Sequence, residues 1–213
     1  MTPEFAEAID RVFLHVLGLL EQISHDEEPS AKEEQLRIRG WLDQAEGRLG
    51  SGRDWELAKY GIVSWIDEVM IDAPWNGARW WNENKLETEI YNTNDREWKF
   101  YSEAKEAGKL PSRNALEVYY VCVVLGFRGL YRDPMAAVQN AEVLGLPPDL
   151  ETWARQTSMA IRLGQGRPPI SDASQPIEGA PPLEGPDMLI WASFTGVVLT
   201  IFLVMLIWLF IIP

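Results

Sequence analysis

Over 213 residues the chain carries 32 Asp and Glu against 19 Lys and Arg, a formal net charge of −13. That balance excludes the basic surface that nucleic-acid phosphates demand, and it excludes electrostatic docking on anionic lipid. A single cysteine, Cys122, excludes an intrachain disulfide; set in an apolar run, it suits a core position in a reducing compartment.

Thr2-Pro3-Glu4 is a helix start, with a capping hydroxyl, proline at the first helical position and an early acid. Phe5, Ile9, Val12, Phe13, Val16, Leu20 and Ile23 then recur at three-to-four spacing, which predicts one apolar helix face to about Ser24. His25 to Pro29 breaks it as a solvated acidic loop. Ser30-Ala31-Lys32-Glu33 has the form of a capping box, opening a second helix that Gly50-Ser51-Gly52 ends. His15 on the first helix is packed or solvated rather than catalytic.

Asp54 is placed to cap a third helix running from Trp55 to about Ala73, before Pro74. On its wheel Ile62, Ile66, Val69 and Ala73 share one side, while Ser64, Asp67, Glu68 and Ile71 form a narrow strip on an otherwise apolar rod. Such a helix is largely buried, and the strip marks the one place where it meets water or a partner. Whether the two acids are a solvated face or a docking site is left open by periodicity. Either placement predicts that truncating both leaves stability within about 1–2 kcal/mol.

Trp80-Trp81 begins a mixed helix to about Ile90, and Asp95 is placed to cap a helix ending at Gly108. The tryptophans are read as core and inter-helix wedges, because the side chain buries a large area. Leu116 to Phe127 is the most apolar stretch of the body, too short to span a bilayer and so a central core helix. Asp133-Pro134 starts a helix closed by Gly145, and a last helix runs to Leu163. No alternating pattern predicts a strand. With no HExxH, GxSxG, phosphate-binding glycine loop or Cys/His ligand set, no enzyme activity, metal or cofactor is expected. Adjacent carboxylates on a helix diverge by about 100°, which argues against Asp67 and Glu68 as a catalytic pair.

Residues 164–187 hold six prolines and four glycines, the composition of a tether. Met188 to Ile212 follows, without a charge. As a helix it measures about 37 Å, enough to cross a hydrocarbon core of about 30 Å, with Trp191 and Trp208 near its two boundaries. Met1 to Asp10 is acidic and lacks a signal sequence, so the body is expected on the cytoplasmic side of a single-pass C-terminal anchor. The organisation expected is a helical domain over 1–163, a linker over 164–187 and an anchor in the bilayer over 188–212.

Two segments together resemble a known family. Ala58 to Trp75 (AKYGIVSWIDEVMIDAPW) resembles the Y-x-hydrophobic-D-E-hydrophobic…P-W helix of the DotU/IcmH/TssL proteins of type VI and type IVb secretion systems. Leu116 to Arg132 (LEVYYVCVVLGFRGLYR) resembles their LE-x-YY-x-C-x-x-LGF-x-G-x-Y segment. The resemblance implies an all-α fold of two small bundles packed as a hook, held by one transmembrane helix in the bacterial inner membrane. It implies a non-enzymatic subunit, present in more than one copy, that joins a TssM/IcmF-like protein and contacts baseplate components of TssK/TssE type. It places Asp67 and Glu68 beside a groove between the bundles; Ser64, Ile71 and Arg128 complete the candidate partner-binding set. The chain departs from the family where Asp95 to Tyr101 lacks a glycine and where Arg128 and Leu130 stand in the GFxGxY motif. The peptidoglycan-binding domain that some members of the family carry after the anchor is not expected here, so wall attachment is expected to come from partners. The alternative readings are a tail-anchored cytoplasmic adaptor outside secretion and a DotU subunit of a type IVb secretion system.

Overall fold

The computed structural model describes residues 1–164, 193–201 and 203–205. Two units divide the chain, one up to Pro168 and one from Pro169. In the first, nine α-helices and one 3-10 turn follow each other, and no strand occurs among the described residues.

Helix α1 (Pro3–Ser24) opens as its sequence dictates: the Thr2 hydroxyl accepts the Phe5 N–H at 3.4 Å, and Pro3 takes the first position. Its buried face is Phe5, Ile9, Val12, Phe13, Val16, Leu19 and Ile23, so Leu19 replaces the half-buried Leu20 of the expected stripe. The Met1 amine pairs with Glu117, and the Thr2 N–H reaches Asn114 Oδ1 at 2.8 Å. Helix α2 (Ala31–Leu49) starts after Ser30, but the Ser30 side chain makes no capping bond, so the expected capping box does not form.

Helix α3 (Arg53–Asp72) is the axis of the body. It packs against α2, α4 (Gly77–Glu83), α5 (Leu86–Tyr91), α6 (Arg96–Ala107) and α7 (Asn114–Val124). The mixed helix expected up to Ile90 is two pieces, α4 and α5, because the chain turns at Asn84-Lys85. Thirteen residues of α3 are buried, including Trp55, Ile62, Trp65 and Ile66. Trp65 packs on Phe13 of α1 with ring centroids 4.9 Å apart, and its indole N–H reaches the Leu125 carbonyl at 3.3 Å.

α3 and α7 run parallel in step. The Tyr119 hydroxyl donates to the Leu57 carbonyl at 2.8 Å, Cys122 Sγ lies 3.6 Å from the Gly61 carbonyl, and the Trp65–Leu125 and Glu68–Arg128 bonds follow. The missing side chain at Gly61 permits this approach: a Cβ there would sit 3.0 Å from the Tyr119 ring. Cys122 is fully buried, and its thiol is pushed well above its usual range by burial.

After α7 the chain turns through Gly126 and Gly129, both at positive φ, into a 3-10 turn at Gly129–Arg132. Helices α8 (Pro134–Leu144) and α9 (Leu150–Gly164) complete the body; α8 contacts the 3-10 turn and α9 contacts α7. Trp153 of α9 meets Tyr101 edge-on at 5.2 Å.

In the second unit residues 193–201 and 203–205 are helical, and Phe194, Val197, Val198, Leu199, Ile201, Leu203, Val204 and Met205 are exposed. Among the described residues no helix is long and apolar enough to cross a membrane. Most of the expected linker, residues 165–187, lies outside the described residues, as do the expected boundary residues Trp191 and Trp208.

Candidate partner-binding site

The strip expected on α3 does not reach the surface. Ser64 and Asp67 are fully buried and Glu68 is 2% exposed. Ile71 is half-buried, and of the five expected docking residues only Arg128 is exposed. Neighbouring helices close over α3 on the side the wheel assigned to water, and the polar atoms there are satisfied from within. Ser64 Oγ bonds back to the Tyr60 carbonyl at 2.8 Å.

Asp67 receives three donors. Its Oδ1 accepts from the Trp81 indole and the Leu86 N–H, each at 2.9 Å, and its Oδ2 accepts the Glu87 N–H at 2.8 Å. The first N–H groups of a helix have no partner within it, so a carboxylate there acts as a cap. Asp67 caps α5 from nineteen and twenty residues away. Burial raises its carboxyl from 3.8 to about 6, while these donors and the charge of Arg96 pull the other way.

Glu68 caps the 3-10 turn in the same manner. Its Oε1 accepts the Arg128 N–H at 2.6 Å, and Gly129 N–H lies 3.1 and 3.2 Å from its two oxygens. Arg132 reaches Oε1 at 3.2 Å while gripping Asp72 with both terminal nitrogens. The Arg128 peptide is held from its other side as well, the Tyr101 hydroxyl donating to its carbonyl at 2.7 Å.

Two further acids complete the pattern. Glu87, fully buried, accepts from the Tyr60 and Thr93 hydroxyls and from the Asp95 and Arg96 N–H groups at the start of α6. The expectation that Asp95 caps α6 is therefore corrected, since its side chain makes no capping bond. Asp54 is likewise not the cap of its own helix, whose N-cap is Gly52. Its carboxylate takes Ser112 Oγ at 2.8 Å, Asn114 Nδ2 at 3.1 Å and the Ala115 N–H at 3.1 Å at the start of α7.

All four acids hold the starts of helices or turns, and Asp67, Glu68 and Glu87 are buried while Asp54 is half-buried. The surface-docking placement of Ser64, Asp67 and Glu68 is therefore corrected. Glu87 was missed; the available signal was an acid immediately after a buried leucine in a short helix that has no capping residue of its own. Among the described residues no group of three or more His, Cys, Asp or Glu is placed to hold a metal. His15 is half-buried, 2.7 Å from Glu34 and edge-on to Trp41.

The sequence profile of the family described as "Type VI secretion system protein DotU" matches residues 6–211. The chain belongs to that family. Its body has the fold of the cytoplasmic domain of TssL from Acinetobacter baumannii: TM-score 0.60 at 19% identity, over 76% of this chain and 99% of that one. A comparison with curated proteins gives no match. The two segments singled out in the sequence, 58–75 and 116–132, cover most of the parallel rods α3 and α7 and both ends of the Glu68 bond.

Proposed function

We propose that this chain is a non-enzymatic inner-membrane subunit of a type VI secretion membrane complex. It holds cytoplasmic baseplate components of TssK/TssE type to a TssM/IcmF-like partner, with its body in the cytoplasm and residues 188–212 in the bilayer. The observation that carries this reading is a family match running from the first helix into the charge-free C-terminal segment. The likeness of the body to a domain described as cytoplasmic supports the orientation. The apolar side chains exposed on residues 193–201 and 203–205 suit a lipid environment. Arg128 and the half-buried Ile71 remain available as contact residues; the buried acids shape the body that presents them.

Deletion of the gene should abolish release of type VI effectors, and the full chain, extracted from membranes in mild detergent, should co-purify with the TssM/IcmF-like protein. Removing residues 188–213 should move the chain to the soluble fraction and abolish release. A deletion strain that secretes normally would sink the reading.

A further inference from the structure

The described surface carries a groove of about 410 Å³ between α2 and the α4–α5 corner. Its apolar floor is Leu36, 57% exposed, and the half-buried Trp80. Tryptophan is among the residues enriched at binding hot spots, and the exposed leucine beside this partly open indole extends the apolar floor.

The charge around this floor is one-sided once pairing is considered. Each glutamate lining the groove stands in an exposed ion pair, Glu83 with Arg79 at 3.1 Å and Glu89 with Arg39, so the two arginines offset the two carboxylates. Lys32 and Lys85 line it too, and neither makes an ion pair among the described residues. Two unspent cations therefore flank an apolar slot on a molecule whose net charge is −13.

The walls are fixed before anything binds. Gln35, 5% exposed, donates its side-chain amide to the Asn84 carbonyl, tying α2 to the corner. From behind, Asp67 holds the Leu86 and Glu87 N–H groups and the Trp81 indole. A slot held in this way loses little conformational freedom on occupation.

We propose that this groove is a docking slot for an acidic, leucine-bearing segment of a partner protein. Its leucine side chains lie on Leu36 and Trp80, and its carboxylates meet Lys32 and Lys85. The proposal rests on the reading of the chain as a docking subunit and names the chemistry of one partner contact. It also gives Asp67 a place in docking without contact, since that carboxylate holds the wall the partner meets.

The test uses the full chain in detergent micelles and a short fluorescent helical peptide of leucine and glutamate, with a second peptide carrying lysine for glutamate. The wild type should bind the acidic peptide, with affinity falling as salt rises. Lys32→Glu with Lys85→Glu should weaken it at least about tenfold and admit the basic peptide, and Leu36→Asp should abolish binding. All these side chains are at least partly solvent-facing, so melting temperatures should match the wild type. Equal binding of the acidic peptide by wild type and the lysine double variant overturns the proposal, as does no binding to the wild type. In host cells, groove variants that release effectors at wild-type level, beside a deletion strain that releases none, overturn the groove alone. Normal release by the deletion strain overturns the functional reading instead.

Discussion

Asp67 accepts the backbone N–H of Glu87 at 2.8 Å, and Glu87 uses its own carboxylate on the N–H groups of Asp95 and Arg96. Two buried acids thus fix two successive helix starts, α5 and then α6, from the central helix outward. A salt bridge could not do this work, because the partners are backbone donors that exist only when each helix begins where it does.

Asp67→Ala strands three buried donors, and an unsatisfied buried polar group costs about 1–3 kcal/mol. The expected loss is at least about 3 kcal/mol for Asp67→Ala and about 2 kcal/mol for Glu68→Ala, where two N–H groups lose their acceptor. Together they remove a large share of the roughly 5–15 kcal/mol that holds a domain of this kind. This reverses the expectation of near-neutral truncation. Urea denaturation of the two single variants and the double checks it, and a double variant melting with the wild type refutes the capping role.

The pH dependence has a defined sign. Burial raises the Asp67 carboxyl from 3.8 to about 6 in the folded protein, so between these values the native state binds a proton that the unfolded chain does not. The stabilisation from this group is complete below about pH 4 and is lost as pH rises through about 6, by roughly 3 kcal/mol. Unfolding free energy measured across pH 4–6 should fall more steeply for the wild type than for Asp67→Asn, which has no proton to lose. Parallel curves would place the titration elsewhere.

Gly129 sits at φ +46°, and a Cβ there would lie 2.8 Å from the Glu97 carbonyl oxygen. That oxygen belongs to backbone and cannot swing away. Gly129→Ala should therefore cost about 1–3 kcal/mol and loosen the Glu68 cap. Gly18→Ala, on α1 with open space around it, should be neutral or slightly stabilising. Thermal melts of the pair give the comparison.

Trp65 is fully buried between Phe13 and the end of α7. Trp65→Ala should destabilise by about 3–5 kcal/mol through lost packing, with Trp65→Phe recovering most of it. A melting temperature within a few degrees of wild type for the alanine variant would contradict its central position.

Most helix limits were legible in the sequence, because they are written locally. Proline and a hydroxyl start α1, glycines stop α2 and α6, and three-to-four spacing marks the buried face of α1. The family, too, was legible from the two segments that form the parallel rods. The caps were not. Ser30 and Asp95 have the right residue types at the right offsets, yet neither side chain caps its helix. Asp54, Asp67, Glu68 and Glu87 lie between eight and sixty-one residues from the backbone groups they cap. A wheel sees an acid on an apolar helix and assigns it to water, since an unpaired buried charge is costly. Only the tertiary structure supplies the partners that remove this cost. Local spacing determined where the helices run, and packing decided which of their carboxylates face inward.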